Sequence, residues 1–130
     1  MLKKVSVLAA GLLASVLAWA VPTVEMTTNQ GKITLELYPD KAPKTVEMFL
    51  YNAKHGFYEA TIFHRVIEDF MAQTGDPTGT GVGGSELPDL PAEFNKVPFA
   101  RGTIGAARTS DPNSANSQWF ICFDDCGFLN

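Results

Sequence analysis

Phe63-His64-Arg65-Val66-Ile67-Glu68-Asp69-Phe70-Met71-Ala72-Gln73-Thr74-Gly75-Asp76 is the stretch on which the rest of the chain turns. Two short apolar runs flank an acidic corner, Glu68-Asp69, and a glycine-rich segment follows. The pattern is strand, turn, strand. Period-2 alternation puts Phe63, Arg65 and Ile67 on one face of the first strand, and Met71 and Gln73 on one face of the second. A cation, an amide and the bulky apolar Phe70 and Met71 then meet over one patch of sheet. The stretch has no obvious nucleophile and no metal cluster. It suits a site that grips an apolar group and polarises an amide.

With 130 residues there is room for one domain. A composition of 45% hydrophobic and 18% charged residues is that of a globular protein, so disorder is not expected. The net charge of −4 comes with no basic cluster, which excludes a nucleic-acid footprint. Residues 1–20 stand apart. Lys3 and Lys4 precede an apolar run from Val5 to Ala18, and Ala18-Trp19-Ala20 is a small-x-small cleavage motif, the layout of a secretory signal peptide. The alternative is an uncleaved anchor, although the run falls short of the ~20 residues of a spanning helix. Cleavage leaves a domain over 21–130 that has lost two lysines and carries −6. That domain is expected to be exported, to a bacterial periplasm, with no membrane attachment. Export makes a disulfide between Cys122 and Cys126 chemically possible. Their Cys-x-x-x-Cys spacing is not that of a redox motif, and Cys122, in an apolar run, reads as a small packed hydrophobe without a catalytic role.

Val24 to Thr28, a turn at Asn29-Gln30-Gly31-Lys32, and Ile33 to Tyr38 read as a β-hairpin with Ile33, Leu35 and Leu37 on its buried side. Pro39 to Pro43 breaks the strand and opens a helix whose apolar stripe is Val46, Phe49, Leu50 and Ala53, stopped at Gly56. His55, in its last turn, complements the helix dipole. Gly79, Gly81 and Gly84 spell G-x-G-x-x-G, but Ser85 to Pro91 cannot open the helix that a dinucleotide site requires. The glycines instead let a long loop fold tightly beside the central strands. Thr103 to Ala107 is a strand of small residues that another backbone can approach closely. After a polar loop, Ser117 to Cys122 is a buried strand with Gln118, Phe120 and Cys122 on one face. A hydrolase triad of His64, Asp76 and Ser110 lacks a nucleophile elbow, and His64 reads as a core histidine satisfied by hydrogen bonds.

The quoted stretch resembles the signature of the cyclophilins, peptidyl-prolyl cis-trans isomerases with a Phe-His-Arg-Val-Ile-x-x-Phe-Met-x-Gln-x-Gly-Asp pattern, and every fixed position is matched. The glycine-rich loop and the Ser117-Gln118-Trp119-Phe120-Ile121 strand are similar to further hallmarks of the family. The resemblance runs from about Val24 to Asn130. It implies a mainly β fold, a closed antiparallel barrel with capping helices. The closing strands, the last helix and a pocket histidine of the family lie beyond Asn130, so the chain reads as C-terminally truncated.

The resemblance also implies roles. Arg65 is the catalytic donor to the prolyl amide, and Gln73 orients it. Phe70, Met71, Phe120 and Leu129 line the proline pocket, and Gln118 binds substrate backbone. Ala107 and Arg108 match the stretch whose main chain pairs with substrate, Arg108 replacing an asparagine common in eukaryotic members. Phe128 stands where cyclosporin-sensitive members have tryptophan, so cyclosporin binding is expected to be weak. No cofactor is implied. The partners are proline-containing peptides and unfolded exported proteins. Read as plain residues, Arg65 could instead pair with Glu68 or Asp69 at the surface, and the apolar set could be core alone. An exported isomerase acting on X-Pro bonds is the leading expectation; a proline-peptide binding module without turnover, or an inactive fragment, are the alternatives.

Overall fold

The computed structural model describes residues 2–8 and 21–130. The described residues fall into two compact units, Met1–Ala60 and Thr61–Asn130.

In the first unit, β1 (Leu2–Leu8), β2 (Thr23–Thr28) and β3 (Gly31–Glu36) form an antiparallel sheet in that order, followed by helix α1 (Pro43–Lys54). β1 lies in the segment that reads as an export leader; the cleavage motif lies outside the described residues. The β2–β3 hairpin closes through Asn29 and Gln30, with Gly31 at φ +130° and Thr28 Oγ1 accepting from the Gln30 amide. Val24 pairs with Leu35 and Met26 with Ile33, which puts these four on one face. Val24, Met26, Leu35 and Leu37 are buried, whereas Ile33 is 40% exposed, so the buried side is shorter than the alternation predicts. Burying each of the large side chains is worth about 1.5–3 kcal/mol.

Pro43 opens α1, where its missing N–H costs nothing. The buried arc of α1 holds Val46, Phe49 and Ala53 of the expected stripe, and also Met48 and Asn52. Tyr58 explains the wider arc: it is 2% exposed, and its ring lies 5.2 Å from that of Phe49. Burial pushes the Tyr58 phenol up to about 12, against the opposing effect of its hydrogen bond with Asn52. His55 caps the helix, its Nδ1 2.8 Å from the Tyr51 carbonyl oxygen and its ring stacked on Tyr51.

The second unit is a four-stranded antiparallel sheet in the order β4 (Arg65–Ile67), β5 (Met71–Thr74), β7 (Trp119–Cys122), β6 (Ile104–Ala106), ending in a 3₁₀ turn at Gly127–Leu129. Phe63, expected in the first strand, precedes it. The turn between β4 and β5 is held by the Phe70 amide donating to the Ile67 carbonyl, with Asp69 at φ +63°. Residues 77–100 carry no strand or helix beyond a single bridge between Leu90 and Ala115.

Two expectations are corrected. Among the described residues the strands form two separate sheets and no closed barrel, with one α-helix; closure requires an unbroken ladder from edge to edge, and no pairing joins the two sheets. At Gly105 the close neighbours are aromatic rings, not a backbone: a Cβ there would lie 2.6 Å from atoms of both Phe120 and Phe99. No described helix is long and apolar enough to cross a membrane.

Gly75 terminates β5 at φ +94°, and a Cβ at this position would collide with the Ser117 carbonyl oxygen; the Ser117 hydroxyl in turn donates to the Gly75 carbonyl at 2.7 Å. Gly31 also has a positive φ, but nothing lies within 4 Å of its would-be Cβ. Gly31→Ala therefore incurs only the conformational cost, about 1 kcal/mol. Gly75→Ala is expected to cost at least about 2 kcal/mol, since the collision adds to the strain. Urea unfolding followed by circular dichroism checks the order, and equal losses would show that the Gly75–Ser117 approach does not matter.

Candidate functional site

The register of β4, β5 and β7 builds the site. Arg65 pairs with Gln73 and Gln73 with Phe120; Ile67 pairs with Met71 and Met71 with Cys122. Residues opposite one another in a sheet share a face. Arg65, Gln73 and Phe120 thus form one row across the sheet, with Gly105 of β6 continuing it beside Phe120. That small residue lets the Phe120 and Phe99 rings stack with centroids 5.7 Å apart.

Gln73 Nε2 donates to Gln118 Oε1 at 2.8 Å, joining the two glutamines the sequence singles out. Gln118 Nε2 donates to the carbonyls of Gly81 (3.0 Å) and Gly83 (2.8 Å) in the glycine-rich loop. Arg65 is exposed, and among the described residues no ion pair joins it to Glu68 or Asp69. A guanidinium on the exposed surface of this row presents directed N–H donors to whatever lies over the sheet.

The apolar residues divide. Phe70 and Phe128 meet, with ring centroids 5.3 Å apart, although Phe128 is 74% exposed and Leu129 40%. Met71 is 2% exposed and packs in the core. The Ala107 amide donates to the Gln118 carbonyl at 2.9 Å, extending the β6–β7 ladder, and Arg108 folds back on the Thr109 carbonyl at 2.8 Å. Arg108 is exposed and no bond ties it to the Arg65 row.

Cys122 and Cys126 are joined in a disulfide, which corrects the reading of Cys122 as a simple hydrophobe. The bridge closes the end of β7 onto the residue before the Gly127–Leu129 turn, and the Cys126 amide donates to the Phe99 carbonyl at 2.7 Å. It thereby anchors the turn that carries Phe128 and Leu129. His64 is corrected as well. Both of its ring nitrogens are buried without a hydrogen-bond partner, and the ring lies against Gly81, whose would-be Cβ is 3.7 Å from His64 Cδ2. No hydrogen bond links His64, Asp76 and Ser110 into a triad. Among the described residues no group of three or more His, Cys, Asp or Glu is placed to hold a metal ion.

The bonding of two polar residues escaped sequence reading. The Asn116 side chain accepts from the Ser85 amide and hydroxyl and donates to the Leu87 carbonyl and to Asp89, pinning a long loop. Asp76, 1% exposed, accepts from the Thr78, Thr80, Gly81 and Gly83 amides and from the Thr78 hydroxyl. Asp followed two residues on by Thr is the sequence signal of such a turn. Burial alone would raise the Asp76 pKa. The hydrogen bonds from Thr78, Gly83 and Gly81 outweigh it and hold the carboxyl well below the usual carboxylate range.

Known proteins resemble this chain in sequence and in fold. The sequence profile of the cyclophilin type peptidyl-prolyl cis-trans isomerase/CLD family matches residues 23–130. The chain is 51% identical over 119 residues to a probable peptidyl-prolyl cis-trans isomerase of Brucella suis, covering 83% of this chain and 61% of that protein. It is 45% identical to a peptidyl-prolyl cis-trans isomerase of Acinetobacter baylyi, covering all of this chain and 70% of the relative. A crystal structure of a Cryptosporidium parvum cyclophilin type peptidyl-prolyl cis-trans isomerase, in the presence of the dipeptide Ala-Pro, superposes with a TM-score of 0.79 at 36% identity, covering 83% of this chain and 72% of that one. A sheet row of arginine, glutamine and phenylalanine, with a profile match over most of the sequence, defines the class: the chain belongs to the cyclophilin-type peptidyl-prolyl cis-trans isomerase family. It spans about three fifths of the length of the Brucella relative.

The Asp76 carboxylate has a folded pKa below its unfolded one. The stability it contributes is present above the unfolded value and is lost as pH falls from the ordinary carboxylate range of about 4 toward the lower folded value. The melting temperature is expected to drop on acidification below about pH 5, and Asp76→Asn to flatten part of that drop. Thermal melts at stepped pH values check this, and parallel pH curves for the two proteins would refute it.

Proposed function

We propose that the chain is a peptidyl-prolyl cis-trans isomerase that accelerates rotation about X-Pro bonds of exported proteins as they fold, with Arg65 as the donor to the reacting amide. The observation that carries this reading is the row Arg65–Gln73–Phe120, backed by the Gln73–Gln118 bond. The Ala-Pro dipeptide named with the Cryptosporidium structure supports proline peptides as the ligand class.

Rotation about the bond must cross a barrier of roughly 20 kcal/mol, because twisting destroys amide conjugation. No bond breaks, so no nucleophile, acid or base is needed. The twisted amide differs from the planar one in having a nitrogen lone pair that can accept a hydrogen bond. A donor aimed at that nitrogen binds the transition state better than either ground state. Arg65 supplies it, through a planar guanidinium with several directed N–H donors. Gln73 and Gln118, bonded to each other, hold their place beside it and leave amide groups for the substrate backbone. Phe120, Phe70 and the Phe128–Leu129 turn grip the proline ring. The exposure of Phe128 favours a second reading, a proline-peptide binder without turnover, because an open wall grips the ring loosely.

Arg65→Ala is expected to lower kcat/KM by about 10²–10³-fold, the usual cost of losing one transition-state donor. Arg65→Lys keeps the charge but loses the planar fork, and should recover only part of the rate. Exchange NMR on an Ala-Pro peptide measures both; acceleration that survives Arg65→Ala would refute the assignment, and binding without acceleration would favour the binder.

The indole-to-phenyl change at Phe128 removes an N–H donor from the pocket wall. Weak cyclosporin binding is therefore expected, strengthened by Phe128→Trp. Titration followed by calorimetry checks this, and tight binding by the parent chain would overturn it.

A further inference from the structure

Asp76 lies outside the row of residues that would touch a substrate, yet it is the most heavily bonded side chain near the site. Its Oδ1 accepts from the Thr78 amide and hydroxyl, each at 2.7 Å. Its Oδ2 accepts from the amides of Thr80 (3.1 Å), Gly81 (2.6 Å) and Gly83 (3.1 Å). Gly81 and Gly83, whose amides it holds, are the same residues whose carbonyls accept from Gln118 Nε2. Both hydrogens of the Gln118 amide are thereby committed to the loop. Its oxygen must then face Gln73, whose Nε2 donates to it at 2.8 Å. With its NH₂ turned to Gln118, Gln73 keeps its carbonyl oxygen as an acceptor, and its neighbour across the ladder is Arg65. The direction of each amide in this series is set by the one before it, and an uninterrupted acceptor at Asp76 sets the first.

We propose that Asp76 is a positioning residue: its carboxylate fixes the 78–83 loop so that the Gly81 and Gly83 carbonyls orient Gln118 and, through it, Gln73 beside Arg65. The proposal rests on the isomerase reading for its effect on rate, and on geometry alone for its effect on the two glutamines. A carboxylate is required because all five donors point at it; an amide would aim its own N–H groups at backbone N–H groups. Gly83 makes the fit possible, since a Cβ there would collide with Asp76 Oδ1 and lie 2.8 Å from Thr78 Oγ1.

The test is a double-mutant cycle on the full chain, read by exchange NMR on an Ala-Pro peptide and by the side-chain amide signals of Gln118 and Gln73. Asp76→Asn is expected to lower kcat/KM about tenfold while the protein remains folded, and to shift both glutamine signals. In a Gln118→Leu background the same change should cost less than about twofold, because the connection to Gln73 is already cut. A residue that merely stabilises the loop would lower the melting temperature, leave the glutamine signals unmoved and reduce the rate equally in both backgrounds; that result overturns the proposal. Gly83→Ala is the second variant. It displaces the loop from the carboxylate without altering charge, and should reproduce the signal shifts even if Asp76→Asn does not fold. If the parent chain shows no acceleration, the isomerase reading fails. The glutamine signals then decide the positioning role by themselves, shifted signals supporting it and unchanged signals overturning it.

Discussion

The pairing of β5 with β7 is the constraint on which the site depends. Gln73 stands opposite Phe120, and Met71 opposite Cys122, only in this register. A slip by one residue would send Gln73 to the far face and bring Ala72 and Thr74 to the site. One feature makes such a slip costly. The Ser117 hydroxyl closes on the Gly75 carbonyl at 2.7 Å just past the end of the ladder. Gly75 admits that contact because it lacks a Cβ. This buried bond would be left unmade in any other register.

Once the register is set, the site is polar on one side and apolar on the other. The polar side is held by the Gln73–Gln118 bond and by the loop that Asp76 gathers. The apolar side is held by stacking: Phe120 on Phe99, and Phe70 beside Phe128. The disulfide from Cys122 to Cys126 ties the second pair to the first, since Cys122 ends the strand that carries Phe120 and Cys126 precedes the turn that carries Phe128. The proposed bond rotation, which breaks no bond, calls for this kind of arrangement. Its rate depends on where donors stand before the substrate arrives, and much less on the acidity of any one group.

Much of this was legible in the sequence. Strand, turn and helix positions follow from periodicity and from Gly and Pro, because these act locally: α1 begins at Pro43, and the β2–β3 hairpin turns before Gly31. That Arg65 and Ile67 share one face of β4, and Met71 and Gln73 one face of β5, follows from alternation; the register joins the two pairs. Partners distant in the chain were less accessible. Nothing in the local pattern told that Met48 and Asn52 would join the buried arc of α1, or that the rings of Phe99 and Phe120 would occupy the space left at Gly105.

The chain's sequence by itself determined which residues each strand places on a common face, since a two-residue period is a property of the chain alone. Only the tertiary structure decided how those residues bond. Gln118 is 45 residues from Gln73 and 37 from Gly81, and its one amide joins both. The His64 ring lies against the loop at Gly81, and its nitrogens lack the partners expected of them. The closed barrel gave way to two sheets because closure needs hydrogen bonds between strands far apart in the chain, and no local pattern encodes whether those ladders meet.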